Sequence, residues 1–228
     1  MIGNNNWIVN LEPYFDVEEI KQLDYEVCMG IALSEHHLPT PGVKPIGLEY
    51  PPSAIEHKYK HSKLWKELNT YQRRMFLRVY ERACLPVRAI YVRKQDHYRN
   101  KHLEAHSEWT DNAVHFPKLI EFIKKAPFKE FGRIEMFVCD ANNGVPEHID
   151  AMDDDDPNRP PGDFLWFTPR GNDKMFYVYD DKGNKHYASH ISWFNERDPH
   201  GSDPVSYSTY SIRVDGVFTD EFKEKCLM

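Results

Sequence analysis

From residue 134 onward the chain is a series of short apolar runs cut by turn chemistry, and no other feature narrows its fold as far. The runs cover residues 134–139, 164–168, 175–179, 191–194 and 207–217. Between them stand Asn142-Asn143-Gly144, the Pro- and Gly-bearing stretch 157–162, Pro169-Arg170-Gly171-Asn172 and Asp180-Asp181-Lys182-Gly183-Asn184. Gly, Asn and Asp reach left-handed backbone at little cost and Pro removes a ladder donor, so such segments reverse the chain. Asp181-Lys182-Gly183-Asn184 between tyrosine-rich runs reads as a hairpin. Many short strands at such intervals predict a sandwich or barrel-like jelly roll.

The chain before residue 130 has a different character. Leu64, Leu68, Tyr71, Met75 and Val79 recur at helical spacing and predict a helix over 62–83. Residues 116–125 predict a second, with Pro117 in its first turn and Phe116, Leu119, Ile120 and Ile123 as its buried stripe. Asp16 is a candidate N-cap for a helix from Val17 to Leu33, with Glu18 and Glu19 in its first turn. The second half of that stretch, from Tyr25 to Ala32, fits a strand equally. Trp7-Ile8-Val9 and residues 85–92 read as strands, and the proline-rich stretch 36–54 as a loop. No flexible linker divides the halves. The expectation is one domain over 1–228, with a helix-rich supporting region at 1–130 and a β core at 131–220.

Composition excludes several classes. A chain of 228 residues with 14% aromatic content can bury a sizeable core and is not disordered. A net charge of -7 gives no global basic footprint for nucleic acid. Cys28, Cys84, Cys139 and Cys226 are widely spaced and form no CxxC pair, which argues against a zinc–thiolate site or a disulfide framework. No apolar run reaches the ~18 residues of a membrane span, and MIGNNNWIVN lacks a basic leader region. A cytoplasmic protein with reduced thiols is the expectation.

Within this frame one stretch carries chemistry. His148-Ile149-Asp150 follows an apolar run and the Asn142-Asn143-Gly144 turn. Residues two apart on a strand point to one face, so an imidazole and a carboxylate can converge on a metal ion. A second histidine would complete the set. His200, in Asp198-Pro199-His200-Gly201, is the leading candidate, with His190 and His186 as rivals. Two His and one carboxylate with open positions suit non-haem Fe(II) and oxygen chemistry. Arg213 lies in a further strand, Tyr210-Ser211-Ile212-Arg213-Val214. An inward-facing guanidinium needs an anionic partner, and it can grip a carboxylate with two parallel hydrogen bonds. A dicarboxylate co-substrate is the inferred partner.

The order His-x-Asp, His, Arg, carried by His148, Asp150, His200 and Arg213, resembles the Fe(II)/2-oxoglutarate-dependent dioxygenases. The wording Phe-Asn-Glu-Arg-Asp-Pro-His-Gly and Ser-Ile-Arg-Val-Asp-Gly is most similar to their aspartyl/asparaginyl and prolyl hydroxylase branch. The resemblance spans about residues 130 to 218. It implies a mainly β fold, a cupin-like double-stranded β-helix, buttressed by the N-terminal helices. It also implies that His148, Asp150 and His200 hold Fe(II), and that Arg213 binds the distal carboxylate of 2-oxoglutarate. Ser211 shares the face of Arg213 and is placed to add a hydrogen bond. The implied activity is an O2-consuming hydroxylase that acts on an amino-acid side chain, free or in a peptide or protein, with succinate and CO2 as co-products. The alternatives are the same chemistry on another small metabolite, or a non-catalytic cupin-type module that binds a metal or ligand. The acidic run 153–156 reads as a solvated loop, or as a lid for a cationic substrate.

Overall fold

The structure, a computed structural model, describes residues 7–34, 87–93, 101–139, 141–142, 144–145, 147, 160–172 and 174–227. The sequence-predicted helix over 62–83, the proline-rich stretch and the acidic run lie outside the described residues.

Two antiparallel sheets dominate. The strands are β1 (Ile8–Asn10), β2 (Val87–Arg93), β3 (Ser107–Trp109), β4 (Phe128–Cys139), β5 (Asp163–Phe167), β6 (Phe176–Tyr179), β7 (Lys185–Tyr187), β8 (Ile191–Phe194), β9 (His200–Ser202) and β10 (Thr209–Phe218). The large sheet runs β1-β8-β5-β10-β4-β2-β3 and the small one β7-β6-β9. After β4 and β5 in the large sheet, β6 and β7 cross to the small one. Then β8 returns, β9 crosses and β10 returns. This winding between two facing sheets is a double-stranded β-helix, the jelly roll expected from the run of short strands.

Both faces of the large sheet are covered, which is why β5 and β10 read as nearly unbroken buried runs. On β10 the odd-numbered residues turn inward, towards the small sheet. Arg213 pairs with Trp166 and Asp215 with Phe164. Trp166 stacks on Phe176 of the small sheet at 4.5 Å between ring centroids, and Phe176 meets Phe194 at 4.8 Å. The even-numbered Ile212 and Val214 share the other face with Phe167 and Leu165. There Phe167 meets Phe122 of a helix at 5.6 Å.

The covering helices are α1 (Val17–Gln22), α2 (Asp24–Leu33), α3 (Pro117–Lys125) and α4 (Asp220–Cys226). Asp16 caps α1, accepting from the amides of Glu18 and Glu19. Leu23 interrupts the expected single helix, and the ambiguous stretch beyond it is helical throughout as α2. Helix α3 borrows its cap from α2. The Glu26 carboxylate accepts from the amides of Lys118 and Leu119 at 3.1 and 2.9 Å, donors that the helix cannot satisfy itself. Its buried face is Leu119, Phe122 and Ile123, with Phe116 just before it. Ile120 of the expected stripe is half-buried and Phe122 takes its share.

The expected hairpin joins β6 to β7. Gly183 takes φ +80° in its turn. The Asp180 carboxylate accepts from the amides of Lys182 and Asn184 and from the Asn184 side chain. Those Asn184 bonds lead the interactions that hold the Asp180 carboxyl well below the usual range. Among the described residues, no helix is long and apolar enough to cross a membrane.

Candidate active site

The small sheet brings together two segments more than fifty residues apart in the chain. Ser202 on β9 donates its amide to the Val145 carbonyl at 2.9 Å, and its hydroxyl accepts from the Val145 amide at 2.8 Å. Gly201 makes the approach possible. A Cβ there would stand 2.7 Å from the Val145 carbonyl oxygen and 3.0 Å from the Tyr177 hydroxyl. Gly144, Val145 and Glu147 therefore lie beside the strand that begins with His200, and His148 is the next residue in the sequence.

His200 is 2% exposed. It pairs with Val178 across the small sheet, and its ring packs against both Phe176 and Phe194, at 5.8 and 5.0 Å between centroids. The turn from β8 to β9 places it. The Asn195 side chain accepts from the Arg197 amide at 3.1 Å, and the Asp198 amide donates to the Asn195 carbonyl at 2.9 Å. The Asp198 carbonyl in turn lies 2.8 Å from His200 Nδ1. A carbonyl can only accept, so Nδ1 carries the proton, and in the neutral ring the lone pair is on Nε2. A histidine is held in this way when it ligates a metal. Burial lifts the Asp198 side-chain carboxyl to about 6, and the Asp181 charge adds to the rise.

The rival histidines sit elsewhere. His186 is on β7, an edge strand, with Nε2 3.1 Å from the Asp180 carboxylate. His190 lies in the turn before β8. Its amide donates to Glu12, and Nδ1 is 3.3 Å from the Thr168 carbonyl. The described neighbours of the His-x-Asp stretch lie against β9, not against β7 or the His190 turn. His148 and Asp150 lie outside the described residues. Among the described residues, no group of three His, Cys, Asp or Glu side chains could hold a metal ion.

Arg213 faces inward, as its place on β10 predicts, and is 4% exposed with its guanidinium 4.0 Å above the Phe164 ring. Its partners are carboxylates of the chain itself. Nε donates to Asp215 at 2.9 Å and Nη2 to Glu196. Lys101 Nζ lies 3.0 Å from Glu196 and 3.4 Å from Asp215. Arg133 adds contacts of 2.8 Å to Asp215 and 2.9 Å to Glu135. The result, among the described residues, is a buried cluster of three cations (Lys101, Arg133 and Arg213) and three carboxylates (Glu135, Glu196 and Asp215). Burial alone would raise the Asp215 carboxyl, but Arg133, Arg213 and Lys101 outweigh it and hold the group well below the usual range. Ser211, two residues before Arg213 on the same face, is buried beside it.

One of the anions that meet Arg213 is legible in the sequence and was passed over. Asp215 shares the parity of Arg213 on its strand, so strand alternation alone puts both on one face. Glu196 and Lys101 gave no such signal, because each comes from a turn. Lys101 reaches the cluster through Gly132. A Cβ on Gly132 would stand 2.1 Å from the Lys101 carbonyl oxygen.

No family model matches the chain, and no curated protein matches it in sequence. Among solved structures it is similar to an oxidoreductase of the 2OG-Fe(II) oxygenase family from Burkholderia pseudomallei. The identity there is 10%, the TM-score 0.41, and 65% of this chain and 78% of that one are covered. A prolyl-4-hydroxylase from Pseudomonas putida is 10% identical with a TM-score of 0.33, over 48% of this chain and 69% of that one. A Trichoplax adhaerens prolyl hydroxylase, in complex with a hypoxia inducible factor peptide fragment, is 12% identical with a TM-score of 0.30, over 92% and 94%. Likenesses this distant carry no residue role across to this chain.

Proposed function

We propose that the chain is an Fe(II)- and 2-oxoglutarate-dependent oxygenase. In this reading it hydroxylates an unactivated C–H bond of an amino-acid side chain, free or within a peptide or protein, and releases succinate and CO2. The observation that carries the reading is the pair of hydrogen bonds between Val145 and Ser202, one between backbones and one from the Val145 amide to the Ser202 hydroxyl. It sets the residues leading into His148-Ile149-Asp150 alongside the strand that holds His200, and the Nδ1 contact of that residue leaves Nε2 as the ligating atom in the neutral ring.

His148, Asp150 and His200 would hold the iron, which supplies the activation of dioxygen when bound. One carboxylate and two neutral imidazoles fit that metal and leave coordination positions open. Arg213, on β10, would bind the distal carboxylate of the co-substrate, with Ser211 adding a hydrogen bond. The Asp198 carbonyl fixes the His200 ring. Phe176, Phe194 and Trp166 wall the space between the sheets and exclude water from it. A single domain over 1–228, with the N-terminal region supporting the β core, belongs to the same proposal.

A second reading is a jelly-roll module that keeps the metal and dispenses with the co-substrate. The resident carboxylates on Arg213 favour it. Succinate release from 2-oxoglutarate, with Fe(II), ascorbate and a panel of amino acids and peptides, separates the two. The oxygenase reading expects turnover, and loss of metal binding in folded His148→Ala and His200→Ala chains. If 2-oxoglutarate neither binds nor turns over, the module stands. If both variants retain metal at wild-type stoichiometry, the ligand assignment is wrong.

A further inference from the structure

We infer that Glu196 is an internal stand-in for the co-substrate: its carboxylate occupies the place on Arg213 and Lys101 that the distal carboxylate of 2-oxoglutarate takes on binding. The inference rests on the oxygenase reading and goes beyond it by naming what the co-substrate must displace.

Three observations support it. First, Glu196 bridges the Arg213 guanidinium and the Lys101 ammonium, the pair of cations that a ligand carboxylate would need. Second, the two carboxylates on Arg213 are held differently. Asp215 is part of a ten-residue strand paired on both sides and is gripped by Arg133 as well. Glu196 lies in the turn between β8 and β9, outside any ladder. Its side chain can swing away without breaking a strand bond, whereas the Asp215 carboxylate is also bound to Arg133 and sits on a strand. Third, among the described residues the cluster already holds three carboxylates beside its three cations. A fourth carboxylate brought in beside the other three would meet like charge in a water-poor site, so exchange with a resident one is the favoured route. Asp215 is then the permanent counter-ion of Arg213 and Glu196 the exchangeable one. Glu196 also becomes a determinant of co-substrate choice. It sets a cost for every dicarboxylate, and one that a keto acid without a distal carboxylate does not meet.

The test is calorimetric titration of the full chain, loaded with redox-silent Mn(II), with 2-oxoglutarate and separately with 2-oxobutyrate. Glu196→Gln keeps the shape and removes the competing charge. The expected result is at least ten-fold tighter 2-oxoglutarate binding in the variant, with 2-oxobutyrate changed less than two-fold. If both ligands tighten equally, the variant has only altered the local field and the displacement idea fails. It fails too if 2-oxoglutarate binds the folded variant as weakly as wild type, or more weakly. Should Glu196→Gln not fold, Glu196→Asp keeps the charge and withdraws it by one methylene. Tighter 2-oxoglutarate binding is again expected, and unchanged affinity overturns the proposal. Wild-type chain that binds Mn(II) and 2-oxoglutarate while both variants match it sinks this inference alone. A wild-type chain that binds neither sinks the oxygenase reading with it.

Discussion

Asp215→Asn is the most direct probe of the charge cluster. Asp215 is 1% exposed and accepts from Arg133 at 2.8 Å and Arg213 at 2.9 Å, with Lys101 at 3.4 Å. Two hydrogen bonds to charged groups contribute ~1.5–3 kcal/mol each. Asparagine keeps one acceptor and turns an amide donor towards a guanidinium, so most of one bond and all of the charge balance are lost. Breaking a buried pair from one side costs ~3–5 kcal/mol, because the other charge stays buried. At roughly 2–4 °C per kcal/mol for a chain of this size, the melting temperature should fall by about 6–20 °C. Urea and thermal unfolding followed by circular dichroism at pH 7 measure the free-energy loss and the melting-temperature shift in turn. The exposed Lys129–Asp220 pair is the control, and Asp220→Asn should change stability far less. The pH dependence follows from the depressed Asp215 carboxyl. Its stabilisation is fully present above the unfolded-state value of about 3.9 and is lost as pH falls through the lower folded-state value. The gap between wild type and Asp215→Asn should therefore stay constant from pH 7 down to about 5 and shrink only in stronger acid. A loss below ~1 kcal/mol at pH 7 would refute the reasoning, since the cluster would then be hydrated enough to screen its own charges.

Three further outcomes are expected. Gly132→Ala should destabilise by ~1–3 kcal/mol in chemical denaturation, because the added methyl meets the Lys101 carbonyl and the backbone must shift. Asn172→Ala should cost a similar ~1–3 kcal/mol for the buried groups left without a partner, and hydrogen exchange should quicken at the β6–β7 hairpin. Asn172 donates to the carbonyls of Phe176 and Ala188 and accepts from the Phe176 amide, and so ties that hairpin's base. Replacing Lys101 and Glu196 together by methionine should cost far less than Lys101→Met alone, by ~2 kcal/mol or more in a double-mutant cycle. Additive losses would mean that the two charges are not coupled.

The strands were legible where they were long and apolar. Those containing residues 134–139, 164–167, 176–179, 191–194 and 209–217 all lie where turn residues bracket apolar runs. The three-residue strands β3 and β9 were not legible, because period-two alternation cannot be read over three positions and neither has the apolar run that marks β1, while β7 was legible only as the far arm of the expected hairpin. Apart from Trp109, the residues of β3 and β9 are polar or small: Ser107-Glu108-Trp109 and His200-Gly201-Ser202. What makes β9 a strand is its fit against β6 on one side and Val145 on the other, a tertiary cause. Gly201 is the local trace of that fit, a residue without Cβ where two backbones close in. Helix α3 was legible from its stripe, but its cap was not, since Glu26 reaches it from another helix.

The same distinction separates the halves of the candidate site. Motif order in a sequence identifies residues that a fold repeatedly places together, and His200 and Arg213 both turn out buried and inward. It does not identify the groups that neutralise them, because electrostatic compensation needs only proximity, and proximity comes from any segment the fold happens to bring near. Arg213 alone implies an anion, and that inference was sound. The step from an anion to a ligand assumed that the chain had none of its own to offer. Glu196 and Asp215 show why that step needs coordinates: a buried guanidinium must be compensated in the empty protein as well as in the loaded one. Any site that binds a charged co-substrate reversibly in a water-poor interior faces this demand. It can admit water, neutralise the group, or lend it a movable partner. A partner placed in a turn, as Glu196 is, answers the demand without disturbing the strands that position the rest.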